Sequence, residues 1–172
     1  MDSGSVLSTM AEVSVGLTGI SGIIALIRSH TIAAWDPMDL LRLGIVVAFG
    51  LGGVSFALLP LILIASGITT EQTWGICSLA LALFMIGLIA VFLPRLLKLR
   101  KSSTSPIIRV VTSSLIVGTL IISVLLAGNF LSIGFNRSFS GYIIGVSWLL
   151  VGLSLVFSRM LFLAASGTEN DD

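Results

Sequence analysis

Four long stretches of the chain, at 43–70, 72–94, 110–136 and 138–158, contain no Asp, Glu, Lys or Arg. A membrane-spanning helix needs about 20 mostly apolar residues, and each stretch reaches that length. Backbone amides in lipid must find hydrogen-bond partners within their own segment, so each stretch is predicted to be a helix. The alternation of apolar and polar residues that a membrane β-barrel requires is absent from these stretches.

The overall composition excludes a soluble globular protein. Hydrophobic residues make up 56% of the 172 residues, and charged residues make up 10%. A soluble domain carries about 25% charged residues to cover its surface. The formal net charge is only +1, and the basic residues are not interleaved with aromatic ones, so no nucleic-acid partner is expected.

The N-terminal segment 6–27 is also predicted to span, although it contains Glu12; the alternative is a helix that lies in the membrane interface. Short connections leave no room for a separate soluble domain and predict antiparallel neighbours. The predicted fold is therefore all-α, a single domain over 1–166, followed by an acidic, disordered tail at 167–172. Its five transmembrane helices are predicted at about 6–27, 43–66, 74–93, 109–131 and 140–163.

The distribution of the basic residues predicts the orientation. With five spans, Arg137 is the only one of the nine Lys and Arg residues on the side of the N-terminus. Cations concentrate in the short cytoplasmic loops, so we expect the N-terminus outside and the C-terminus inside. The densest cluster, 94–101, is interpreted as a topology signal, with recruitment of anionic membrane lipids as the alternative. The remaining cations on the predicted inner side are Arg28, Arg42, Arg109 and Arg159.

Glu12 is the main candidate for a functional residue, because an ionised group in hydrocarbon costs at least a few kcal/mol. Glu12, Gly16 and Gly19 follow a spacing that places them on one helix face. A face of small residues is predicted to pack against a neighbouring helix and to hide the carboxylate from lipid. Two interpretations stay open: a proton or cation site, and an interfacial carboxylate that is solvated or caps the helix.

Arg159 is the second candidate, near the inner end of the last helix. Its predicted partners are Asp36 and Asp39, and the alternative is a side chain that extends to the lipid headgroups without a protein partner. Asp36 followed by Pro37 is a helix-start signal, so the second helix is expected to begin there.

Pro60 interrupts the second predicted helix and removes one backbone hydrogen bond, which predicts a kink. With Gly50, Gly52 and Gly53 it would form either a hinge or a tolerated kink beside close helix packing, and we favour the second interpretation. Gly141 and Gly145 form a GxxxG pattern that indicates tight helix contact, within the bundle or between copies. Trp148 lies near mid-membrane, so it is expected to face protein and to find a partner for its N–H.

Residue sets for catalysis or for metal binding are missing from the sequence. The chain has one Cys and one His, and it has no nucleotide-binding loop, no Ser/His/Asp set and no HExxH motif. The sequence therefore predicts no cofactor and no enzymatic activity.

A set of short segments stands out at 11–12, 16–22, 35–39 with Arg42, 56–60, 148–150 and 157–162. Together these segments resemble a family of small, uncharacterised bacterial membrane proteins. The resemblance implies a helical protein of the bacterial inner membrane and brings with it no known activity, ligand or site. The segments that carry the resemblance include Glu12, Pro60 and Arg159.

Two functional hypotheses follow. The first is a non-enzymatic helix bundle that acts as a homo-oligomer or as a small subunit of a membrane complex, because small-residue faces are dense and catalytic groups are lacking. The second is a small transporter or channel, with Glu12 as its ion or proton site and Pro60 as a gate hinge.

Overall fold

The computed structural model describes residues 3–31, 37–100, 106–132 and 137–166, and nearly all of them lie in five α-helices. All five helices are long and apolar enough to cross a membrane. The predicted all-α bundle of five transmembrane helices is confirmed, and the chain is a multi-pass membrane protein. The helices are α1 (Ser3–Thr31), α2 (Pro37–Ala65), α3 (Thr70–Arg100), α4 (Pro106–Phe130) and α5 (Phe139–Ser166).

Several helices are longer than the apolar runs from which they were predicted. α3 continues through Pro94 to Arg100, and α1 continues to Thr31. A helix does not have to end where its side chains become charged, because Lys and Arg extend into the headgroup region while the backbone stays hydrogen-bonded. α2 begins at Pro37, where the helix-start signal lies, and so before the predicted start of the span at residue 43. α4 also begins at a proline, which suits the first helical position. Asp36 and the predicted tail at 167–172 lie outside the described residues.

Consecutive helices run antiparallel, as the short connections predicted. Ser14 of α1 lies against Gly53 of α2, while Thr18, one turn later, lies against Gly50, one turn earlier. α1, α3 and α5 therefore begin at one end of the bundle, here called the Trp74 end. They finish at the other, here called the Arg95 end. At the Trp74 end, α2 closes with Gly67 in the left-handed conformation (φ +85°), which permits the hydrogen bonds from Gly67 and Ile68 that cap the helix.

α5 is the central helix, since it contacts each of the other four. Its glycines make this possible: a Cβ atom at Gly145 would lie 2.8 Å from a methyl carbon of Leu81, and one at Gly152 would lie 2.5 Å from the ring of Phe49. The core between α3, α4 and α5 contains Leu81, Met85, Leu126, Tyr142, Val146 and Leu149, all of them almost fully buried.

The outside of the bundle is apolar over the middle of several helices. Leu83 on α3 is 61% exposed and Val124 on α4 is 71% exposed. Many other large aliphatic side chains are exposed to a lesser degree. Such a surface is unfavourable in water and suits hydrocarbon, so it agrees with a bundle surrounded by lipid.

Candidate functional site

Glu12 is exposed, and its side of α1 faces away from the bundle. Gly16 and Gly19 share that side, and a Cβ atom added at either glycine would meet nothing within 4 Å. The prediction that this face packs against a neighbouring helix of the bundle is therefore wrong. We call the set Ser8, Glu12, Gly16 and Gly19, all exposed, the α1 exposed face.

The opposite side of α1 packs inward instead, and it is built from hydroxyl residues. Ser14, Thr18 and Ser21 donate to the carbonyl oxygens of Met10, Ser14 and Leu17 at 2.7–2.8 Å. Because each hydroxyl is satisfied within its own helix, the side chain presents a small surface without an unmet polar group. Gly53 of α2 fits against Ser14, where an added Cβ atom would lie 2.5 Å from Oγ. The preferred interpretation of these α2 glycines, close helix packing, is confirmed at this contact.

The depth of Glu12 follows from the same contacts. Since Ser14 lies against Gly53, Glu12 is level with the turn of α2 that follows Gly53, well inside the apolar stretch Leu40–Ala65. Glu12 also lies about 14 Å along α1 from its first residue. The backbone of Glu12 is thus level with the apolar part of α2 and not at the end of α1.

Pro60 is buried inside α2, and the helix continues through it. Proline has no N–H, so the carbonyl oxygen of Phe56, four residues earlier, loses its usual donor. The hydroxyl of Tyr142 on α5 donates to that oxygen. Tyr142 is fully buried, and its ring lies 5.8 Å from that of Trp74. Pro60 is therefore a tolerated interruption that is tied to the central helix.

Asn129, near the end of α4, joins three helices. Its Nδ2 donates to Oγ of Ser78 on α3 at 2.7 Å and to the carbonyl oxygen of Ser138 at 3.2 Å. Its Oδ1 accepts from the backbone N–H of Ser138 at 3.0 Å, immediately before α5. Gly141 makes room for it, because a Cβ atom there would lie 2.8 Å from Cγ of Asn129. The GxxxG pattern thus serves contacts within the bundle.

Sequence reasoning missed both Asn129 and Tyr142. The available signal was an amide side chain in an otherwise apolar run, which needs a hydrogen-bond partner inside the membrane. Trp148, by contrast, was predicted correctly: its Nε1 donates to Oγ1 of Thr119 on α4 at 3.0 Å. A Cβ atom at Gly118 would clash with its ring.

The other two predicted polar residues stay apart from Glu12. Arg159 is half-buried near the Arg95 end of α5, whereas Glu12 lies in the half of α1 toward the Trp74 end. Asp36 and the side chain of Asp39 lie outside the described part of the chain, so their pairing with Arg159 stays a prediction.

The described interior contains no cluster of metal-ligating side chains. In the described ranges, no three His, Cys, Asp or Glu residues come together as metal ligands. The buried side-chain nitrogen and oxygen atoms of the same residues all have hydrogen-bond partners. The polar groups between the described helices are therefore satisfied either within one helix, as at Ser14, or between helices, as at Asn129. The strongest candidate for interaction with another molecule is the α1 exposed face.

Comparison with known proteins gives no assignment, since no family model, no curated protein and no solved structure matches the chain. The resemblance to a bacterial membrane-protein family accordingly stays a prediction, and any functional proposal depends on the geometry described above.

Proposed function

We propose that this multi-pass protein acts without catalysis, as a homo-oligomer or as a small subunit of a membrane complex, and that α1 is its association helix. The observation that carries the proposal is the α1 exposed face, where a carboxylate and two glycines face away from the protein's own bundle. Hydrocarbon is a poor solvent for this carboxylate, so states in which another helix covers Glu12 are favoured.

The shape of the α1 exposed face supports close association with another helix. Gly16 and Gly19 present no side chain, so the backbone of a second helix can approach closely and gain van der Waals contact. Ser8, one turn before Glu12, supplies a hydroxyl donor on the same face. Exposed glycine also occurs on α3, where Gly87 has open space around it, but the α1 exposed face combines its glycines with a carboxylate.

A transport role that uses Glu12 needs a pathway between subunits, because the carboxylate faces away from the interior of its own bundle. We therefore propose association as the primary role. We further propose that the protein lies in a bacterial inner membrane with the Arg95 end toward the cytoplasm, supported by Arg42, Arg95 and Lys98 at that end.

The experiment compares the native assembly of the wild type with that of a variant carrying Gly16→Leu and Gly19→Leu. Native mass spectrometry and blue native electrophoresis, after extraction in mild detergent, should show the wild type above the 18.1 kDa mass of one chain. The double variant should shift toward one chain, because two leucines keep the second helix away.

Gly87→Leu is the matched control, since Gly87 is also an exposed helical glycine with open space around it. Its assembly should equal that of the wild type. A wild type that is strictly monomeric with no co-purifying partner would contradict the proposal, and so would equal assembly in the double variant.

A further inference from the structure

A second surface of interest lies at the Trp74 end, where the start of α3 meets the end of α4 and the residues before α5. An open pocket of about 640 Å³ is lined there by Thr70, Glu71, Trp74, Ser132 and Arg137. This volume lies within the range of small-molecule sites, roughly 300–1,000 Å³. None of the residues that line the pocket belongs to α1, so the pocket is separate from the α1 exposed face.

Two backbone positions of the pocket are unusual. Ser132 and Arg137 have positive φ angles of 59° and 43°, and within the described ranges they are the residues other than glycine that do. This conformation costs about 1 kcal/mol or more for a residue with a Cβ atom. Both residues line the same pocket.

The Arg137 side chain is anchored at its middle. Its Nε donates to the carbonyl oxygen of Phe130 at 3.2 Å, at the end of α4. Its aliphatic part passes over Gly75, where an added Cβ atom would lie 3.3 Å from Cδ. This bond occupies Nε, so the two terminal nitrogens of the guanidinium remain for a ligand in the pocket.

The other walls supply an opposite charge and a rigid surface. Glu71 lies in the first turn of α3 and is exposed. Trp74, one turn later, is 5% exposed and is held by the ring of Phe139 at 5.1 Å. The pocket thus presents a cation and an anion beside one aromatic wall, which suits a ligand that itself carries both charges.

The pocket also lies near the ends of the apolar spans of α3, α4 and α5, which are Thr70–Arg95, Ser113–Phe130 and Phe139–Arg159. Four of its five lining residues lie within two residues of a span end, and Trp74 lies one turn inside. Ends of apolar spans lie near the lipid headgroups. A phosphate diester in the headgroup layer meets a guanidinium there, and guanidinium–phosphate pairs are strong, often two-bonded contacts.

We propose that this pocket binds a phosphate ester that carries a primary ammonium group, as in the headgroup of phosphatidylethanolamine. The phosphate lies on Arg137, and the ammonium group donates to the carboxylate of Glu71. A phosphatidylcholine headgroup has the same charges but no ammonium N–H to donate, and a phosphatidylglycerol headgroup has no cation. The carboxylate of Glu71 therefore makes the pocket bind phosphatidylethanolamine more tightly than the other two lipids.

The experiment measures lipid affinity for the full chain in detergent by native mass spectrometry, with dioleoyl phosphatidylethanolamine, phosphatidylcholine and phosphatidylglycerol as probes. The wild type should bind the first about tenfold more tightly than the other two, the scale of one charged hydrogen bond. Glu71→Gln should remove this preference and retain binding of the phosphate. Equal affinity of the wild type for the three lipids would overturn the proposal.

Arg137→Asn removes the charge and introduces a residue that adopts positive φ more readily than most. It should lower the affinity for all three lipids about tenfold. Arg137→Lys is the second variant, which keeps the charge but loses the two-bonded contact, and it should give an intermediate loss. Lys98→Gln, an exposed cation at the Arg95 end, is the control and should leave the affinity for the zwitterionic phosphatidylethanolamine unchanged. Equal effects of Arg137→Asn and Lys98→Gln would also overturn the proposal.

Soluble phosphoethanolamine separates the two sources of the ligand. Displacement of the lipid that depends on Arg137 shows that the headgroup alone is recognised. Retention of the lipid in excess phosphoethanolamine, with the Glu71-dependent preference intact, assigns the site to the membrane lipid. Displacement that is the same in wild type and Arg137→Asn contradicts the assignment of the phosphate to Arg137.

Discussion

The hydroxyl of Tyr142 donates to the carbonyl oxygen of Phe56, the acceptor that Pro60 leaves without a backbone donor. In lipid, such a carbonyl has no water to bond, so a neighbouring helix must supply the donor. α5 does so from its first turn, where Tyr142 is held beside Trp74. The proline of α2 and the tyrosine of α5 thus form one structural unit.

Tyr142→Phe is therefore expected to lower the free energy of unfolding by about 1 kcal/mol, because it leaves the Phe56 carbonyl without a partner. Pro60→Ala restores the N–H at residue 60, so the same change should cost less in a Pro60→Ala background. The measurement is a double-mutant cycle of unfolding in detergent micelles. Strictly additive effects of the two substitutions would show that the two positions are not coupled.

Removal of the Asn129 amide should loosen the junction of α3, α4 and α5. Asn129→Leu removes the bonds to Ser78 and Ser138, so we expect a loss of about 2 kcal/mol of stability. Hydrogen exchange should speed up at the amide of Ser138, which donates to Asn129. Ser66→Ala is the control, because the exposed hydroxyl of Ser66, just after α2, bonds to the Ile62 carbonyl oxygen one turn earlier and connects no two helices. Its removal should change neither readout.

A methyl group added at the inward contact of α1 and one added on its outward face should have opposite effects on stability. Gly53→Ala brings a Cβ atom against Ser14 and is expected to destabilise the bundle by about 1–3 kcal/mol. In the dissociated monomer, Gly16→Ala meets open space and should be neutral or stabilising by up to about 1 kcal/mol, because alanine favours helix. Thermal unfolding of both variants in detergent checks this. A marked destabilisation by Gly16→Ala would show that the face of α1 that contains Gly16 packs inside the bundle.

The proposed orientation predicts which end of the bundle is reached from outside the cell. In a Cys77→Ala background, Glu71→Cys should react with a membrane-impermeant maleimide on intact cells. Lys98→Cys should react only after permeabilisation, because it lies at the Arg95 end. Labelling of Lys98→Cys on intact cells would reverse the proposed orientation.

The sequence alone was sufficient to predict the number, type and antiparallel order of the helices. Long apolar runs between charged islands force helices in lipid, whatever their neighbours are. The start of α2 at Pro37 and the inward position of Trp148 were also predictable, because each depends on local chemistry. The extension of α3 past Pro94 was not, since apolar length does not report how far a helix continues beyond the hydrocarbon.

Which face of α1 packs inward was decided only by the tertiary structure. One side offers Gly16 and Gly19 and the other offers Ser14 and Thr18, and both are small enough for close approach. The choice depends on the fit to Gly50 and Gly53 of α2, which no pattern within α1 contains. The partners of Asn129 and Tyr142 are likewise set by helix packing, because a hydrogen bond between helices depends on their relative rotation and depth.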